Sequence, residues 1–218
     1  MFSLVKNCNI NHGRPLFFAL CHNLQHRNSS SGGKVKNPAQ YCLEVVRKTD
    51  HEHYLTNLLL PPNLKTDAFA IRAFSSEIAG VRDSVSDPML GRMRLQFWRD
   101  TVENIYGGKV PQHPIAIQLY KIVKQKNPSK QLLLNLIAAR EQRINDVPFN
   151  SLEDVEKYGE LVFGSVYLLL LELMENKNGH IKHALTQLGQ CEGLGVLDIN
   201  VLWSTLKIKS ERVYKEEL

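Results

Sequence analysis

Among the residues able to do chemistry, Glu77 stands out by its setting, the stretch Phe69-Ala70-Ile71-Arg72-Ala73-Phe74-Ser75-Ser76-Glu77-Ile78-Ala79-Gly80. At about 100° per residue, Ala70, Ala73, Phe74, Ile78 and Val81 share one arc of a helix, with Glu77 near its middle. A carboxylate on an apolar face must be paired, protonated or turned toward a wet cavity. A partner is available in the next helical pattern, where Gly91, Leu95, Trp98, Val102 and Ile105 form an arc with Arg94 at its edge. The expectation is an ion pair between Glu77 and Arg94. The alternative is that Glu77 marks a cavity while Arg94 extends its stem outward to solvent.

Other reactive side chains carry less. His51 and His53 stand at i and i+2, which point apart on a helix, and read as surface residues. His113 precedes a proline that can open a helix, and nothing near it supplies a nucleophile or an orienting acid, so it reads as a capping or interface residue. Cys8, Cys21, Cys42 and Cys191 show neither a disulfide framework nor metal spacing. No catalytic, cofactor-binding or metal-ligating residue is assigned.

The elements that must position Glu77 read as helices throughout. Asp50 stands where an N-cap is wanted, and Tyr54, Leu55, Leu58 and Leu59 repeat helically up to Pro61-Pro62. The helix of Glu77 is predicted to begin near Thr66 or Asp67, and the next runs over Met89–Tyr106 into Gly107-Gly108. Pro114 opens another, and Leu132, Leu133, Leu136, Ile137 and Arg140 mark a fourth. Ser151-Leu152-Glu153-Asp154 makes a near capping box for one long helix through Glu175, with Gly159 and Gly164 as points of bending or close approach. Its inward residues Leu161, Val162, Val166, Leu169, Leu170 and Leu173 are ordinary core for a helical bundle.

Charge is distributed unevenly. Five of the 27 basic residues (Lys6, Arg14, Arg27, Lys34, Lys36) precede Cys42 in a stretch without Asp or Glu, and the remaining 22 balance the 22 acids. The body is therefore neutral, and the net charge of +5 is no argument for nucleic acid. The acid-free N-terminus ending in Arg27-Asn28-Ser29-Ser30-Ser31-Gly32-Gly33 has the composition of a mitochondrial transit peptide, placed at 1–33. A secretory signal is the rival, built on Pro15–Cys21 and coupled to the C-terminal Lys215-Glu216-Glu217-Leu218. The longest apolar run, Leu161–Leu171, is shorter than the roughly 18 residues a membrane span needs.

The Phe69–Gly80 segment, followed by Arg92-Met93-Arg94-Leu95-Gln96-Phe97-Trp98-Arg99-Asp100, resembles the squalene/phytoene synthase family. So do Gln112-His113-Pro114-Ile115-Ala116 and Leu188-Gly189-Gln190-Cys191-Glu192-Gly193-Leu194. The resemblance covers roughly 40–194, taken as a partial synthase-like helical domain, and leaves 195–218 as a divergent tail. It implies an all-α, isoprenoid-synthase-like helical bundle whose C-terminal part is missing. In that family two aspartates at i and i+4 hold magnesium against a prenyl diphosphate. Aligned through the aromatic-Ala-x-Arg entry, the acidic positions fall on Ser76, Glu77 and Gly80. A hydroxyl and a glycine cannot replace two charged ligands of a hard ion. The later Asp198 has no second acid at i+4, so the second acidic motif does not arrive.

The acid-poor segment and Arg82-Asp83-Ser84-Val85-Ser86 resemble most the non-catalytic mitochondrial branch of the family, whose members assist assembly of respiratory complex I. This implies a matrix protein peripheral to the inner membrane, with complex I subunits or other assembly factors as partners, lipid as a further option, and no cofactor. Two readings stay open beside it: a prenyl-diphosphate transferase or isoprenoid-binding protein with a degenerate magnesium site, and a non-functional truncated product.

Overall fold

The computed structural model describes residues 37–145 and 148–195. Among them the chain runs as α1 (Pro38–Thr49), α2 (His51–Leu58), α3 (Pro62–Ala79), a short 3-10 turn (Arg82–Ser84), α4 (Pro88–Tyr106), α5 (Pro114–Lys126), α6 (Lys130–Gln142), α7 (Leu152–Gly159), a π turn (Glu160–Gly164), α8 (Ser165–Leu173) and α9 (Gly179–Gly195). No described element is a strand, in keeping with the all-α expectation. The expected transit peptide, Asp198 and the rest of the tail lie outside the described residues.

Local chemistry explains the boundaries. Proline stands in the first turn of α1, α3, α4 and α5, where its missing N–H leaves no bond unmade. That is why α3 starts at Pro62, four residues ahead of the predicted Thr66. Asp50 caps α2 by accepting from His53 N at 3.3 Å, Asp87 caps α4 through Met89 N at 2.8 Å, and Ser151 caps α7 through Asp154 N at 3.1 Å. Asn127, at φ 45°, takes the left-handed turn that ends α5.

α3 is the hub, packing against α1, α2, α5, α6 and α8. Phe69, Ala70, Ile71, Ala73, Phe74 and Ile78 are all buried, so the helix is apolar nearly all round its middle. Phe74 meets Trp98 of α4 edge-on, ring centroids 5.5 Å apart. The predicted α4 arc is buried in full. Cys42 of α1 is a core sulfur whose thiol burial pushes up to about 12.

Two elements depart from expectation. On α2, Tyr54 packs half-buried against Phe69 as its spacing implies, but Leu55 and Leu58 are exposed, as is Leu59 just beyond its end, and the buried residue is Asn57. The long helix expected over 151–175 runs without a gap from Leu152 to Leu173, but it changes to a π turn between Gly159 and Ser165, where bending or close approach was expected. Gly159 and Gly164 allow α9 to approach backbone to backbone there. A Cβ on Gly189 would lie 2.4 Å from Gly164 N, and one on Gly193 2.5 Å from Gly159 Cα. No described helix is long and apolar enough to cross a membrane.

Candidate functional site

The C-terminal turn of α3 carries Ser76, Glu77 and Gly80, all half-buried. Gly80 N donates to Ser76 O at 3.0 Å, so positions 76 and 80 stand one turn apart on one edge of the helix. A Cβ at Gly80 would meet only the carbonyls of Ser76 and Glu77, at 3.5 and 3.7 Å. Glu77 lies within electrostatic reach of Tyr41 and His113. Burial, then the Glu77 charge, raises the Tyr41 phenol; burial lowers His113, and Glu77 opposes that shift.

Arg94 is turned elsewhere. It is exposed, and its Nη1 donates to Ser84 Oγ at 2.6 Å, so the expected ion pair with Glu77 is not made. The cause is its register: Leu95 and Trp98 point inward on α4, and Arg94 precedes Leu95 by one step of about 100°. His113 works at an interface rather than as a cap. It makes no side-chain capping bond, and its ring stands edge-on to Trp98 (4.9 Å) and to Tyr41 (6.1 Å). Its Nδ1 is buried without a hydrogen-bond partner.

Immediately beside the end of α3 opens a cleft of about 210 Å³. Ile78, Ala79, Leu95 and Ile144 form its apolar walls, and Arg82, Asp83, Arg140, Arg143 and Tyr158 its polar ones. Arg140 Nη1 donates to the Tyr158 hydroxyl at 2.6 Å, while Phe149 stands edge-on to the Tyr158 ring at 5.5 Å and beneath the Arg143 guanidinium at 3.5 Å. Guanidinium groups and a phenol over an apolar floor suit an anion joined to an apolar body. Arg140 was read only as part of a helical pattern, and Arg143 and Tyr158 were not singled out, because Tyr158 is fifteen residues beyond Arg143 and the three share no motif.

A second polar cluster joins α2, α3, α8 and α9. Arg72, only 6% exposed, lies with its guanidinium carbon 5.4 Å from the Tyr167 ring centroid, and its Nε has no partner. Tyr167 donates its hydroxyl proton to Glu192, and burial, then that bond and the Glu192 charge, push the phenol up to about 12. His53 pairs through Nδ1 with Asp50 at 2.7 Å and approaches Glu192 through Nε2 at 3.5 Å. His53 is thus a junction residue, in contrast to the surface role expected from the i, i+2 spacing. The signal for Arg72 was present: it is the one charge between Phe69 and Phe74, where apolar residues fill every direction around the helix.

Magnesium, which the resemblance implies for an active synthase, does not fit the residues on this turn. Glu77 is its sole carboxylate, Ser76 and Gly80 add no charge, and among the described residues no group of three or more His, Cys, Asp or Glu is placed to hold a metal ion.

Comparison with known proteins follows the same helices. The profile of the squalene/phytoene synthase family matches residues 46–196. A human protein called NADH dehydrogenase (ubiquinone) complex I, assembly factor 6 is 40% identical over 166 residues, 76% of this chain and 50% of that protein. Its Drosophila melanogaster homolog is 34% identical over 165 residues, 73% of this chain and 49% of that protein. The chain thus spans about half the length of the curated relatives it matches. Among solved structures, a dehydrosqualene synthase superposes with a TM-score of 0.62 at 22% identity, covering 70% of this chain and 53% of its own. That likeness is one of fold.

Proposed function

We propose a function from the premise that this chain belongs to the squalene/phytoene synthase family: it serves as an assembly factor for mitochondrial respiratory complex I, as a relative of the prenyl-diphosphate synthases that performs no catalysis. The observation that carries the reading is 40% identity to the human assembly factor over three quarters of the chain. The chemistry of α3 supports it. Ionising a prenyl diphosphate builds charge on the leaving phosphates, and a turn with Glu77 alone lacks the carboxylate pair that would hold a metal against them. We place the protein on the matrix side of the inner membrane, imported through residues 1–33, with complex I subunits or other assembly factors as its partners. Complementation tests this: the full chain should restore complex I in cells lacking their own factor. Absence of rescue by a well-expressed, imported protein overturns the reading.

A second reading is favoured by the cleft beside α3. Arg140, Arg143 and Tyr158 over Ile78 and Leu95 would hold an isoprenoid diphosphate or lipid without turning it over. Farnesyl diphosphate should then raise the melting temperature, with no pyrophosphate released in the presence of magnesium. Turnover above a heat-killed control would overturn the non-catalytic assignment.

A further inference from the structure

The outer face of α4 is apolar where a solvated helix face is ordinarily polar. Met89, Met93 and Phe97 repeat at i, i+4 and i+8 with Leu90 beside them, and all four are exposed, at 58%, 60%, 54% and 50%. The opposite face of the same helix buries Leu95, Trp98, Val102 and Ile105. The stripe is therefore additional to the core-facing surface. Arg94 lies on its Leu90 side and Arg92 on the other, at about 100° per residue. Both arginines are exposed and bond only neutral oxygens: Arg92 Nη2 to Asn145 Oδ1 at 3.2 Å, and Arg94 Nη1 to Ser84 Oγ at 2.6 Å. Among the described residues no carboxylate pairs with either of them. The acids of α4 stand at the ends of the stripe: Asp87, ahead of it, accepts from Met89 N, Asp100, beyond Phe97, accepts from the neutral Gln96 amide, and Glu103, further on, pairs with Lys130.

We infer that the N-terminal half of this face seats on an anionic phospholipid surface, with Met89, Leu90, Met93 and Phe97 entering the headgroup region and Arg92 and Arg94 meeting lipid phosphates. Three features favour lipid over a protein partner. The stripe is the convex flank of one helix rather than a groove. Its two methionines adapt to a fluid surface, and Leu90 and Phe97 add apolar bulk. Four side chains also fall short of the roughly 800 Å² per partner that a stable protein interface buries. The acids beyond Phe97 set the tilt, keeping the C-terminal half of α4 in water. This inference rests on the peripheral-membrane part of the proposed function and names the surface that would serve it.

Flotation of the full chain tests it, with phosphatidylcholine vesicles doped with cardiolipin against phosphatidylcholine alone. Wild type should float with the doped vesicles and remain below with the neutral ones. Leu90→Asp with Met93→Asp should lower binding by about tenfold or more, and Arg92→Gln with Arg94→Gln by roughly fivefold for each charge removed. All four positions are exposed, so melting curves should overlay wild type and exclude misfolding. The basic residues of the N-terminus are the same in every variant and cannot produce a difference between variants, which is the reading that assigns binding to α4. Equal flotation of Leu90→Asp/Met93→Asp and wild type, or equal binding to neutral and doped vesicles, overturns the surface while leaving complementation intact. Failure of wild type to complement, with these flotation differences preserved, overturns the assembly reading alone.

Discussion

α3 and α9 are both held in seams, and they are held in opposite ways. α3 is enclosed by large side chains on every side, Phe69, Ile71, Phe74 and Ile78 filling the space between five other helices. α9 has Gly189 and Gly193 as its buried residues, and it reaches α7 and the π turn by backbone contact, tied at one edge by Glu192 to Tyr167 and His53 and at another by Gln190 to Glu160. The first seam is stabilised in proportion to apolar area removed from water. The second depends on shape and on a few polar bonds, so its tolerance for change is narrower at fewer positions. The centre is therefore weakened by removing side-chain bulk, whereas the α9 seam is weakened by adding a single methyl group.

The largest effect should come from the centre. Phe74 is fully buried against Trp98, and Phe74→Ala should cost about 4 kcal/mol through lost transfer energy and a cavity the surrounding helices cannot close. Equilibrium denaturation measures it, and the loss should be shared by every probe, because α3 touches most of the bundle. A loss below about 1 kcal/mol would show that the centre repacks.

At the second seam, Gly189→Ala should cost about 2 to 3 kcal/mol, since the new Cβ would lie 2.4 Å from Gly164 N and 2.6 Å from Gly164 Cα. The obstacle is backbone and cannot rotate away. The comparison is sharpened by where the loss appears: amide exchange should accelerate through α9 and the π turn while α3 keeps its protection. Uniform acceleration would mean that the two seams unfold as one unit.

A smaller effect concerns charge in the polar cluster. Burial raises the Asp50 carboxyl, but the hydrogen bond and charge of His53, with Arg72 behind them, outweigh it and hold the group below its ordinary value of 3.8. A depressed folded value means stability that is present above the unfolded pKa and lost as pH falls through the folded one. Asp50→Asn preserves an N-cap, so it isolates the charge. It should cost about 1 kcal/mol at neutral pH, and the gap from wild type should close as pH drops below about 4. A gap independent of pH would assign the cost to geometry.

How much of this was legible in the sequence follows the same division. The α3 and α4 arcs were readable, because apolar residues at a period of 3.6 have one satisfactory arrangement and Ala70, Ala73, Phe74, Leu95, Trp98 and Val102 all occupy it. Gly159 and Gly164 were visible as points of close approach. The π turn between them was not, since it depends on what α9 presents thirty residues later. The cleft was invisible for a related reason: Arg82, Arg140 and Tyr158 converge only through tertiary packing. Leu55 and Leu58 misled because spacing identifies a stripe but not whether another element covers it.

The smallest effect distinguishes two partners for Glu77. Periodicity suggested Arg94, whereas the structure turns Arg94 to Ser84 and brings the Glu77 charge to bear on Tyr41 and His113. Arg94→Met should then change stability by less than about 0.5 kcal/mol, as for an exposed residue with one neutral partner. Thermodynamic coupling to Glu77→Gln should be absent from a double-mutant cycle. The titration of His113 gives the decisive reading. Burial already lowers it and Glu77 holds it partly up, so Glu77→Gln should move the His113 midpoint further down in an NMR titration, and Arg94→Met should leave it in place. A midpoint that moves with Arg94 and not with Glu77 would restore the pairing read from periodicity. It would also mean that the C-terminal turn of α3 is organised from α4, and no longer from α1 and the start of α5.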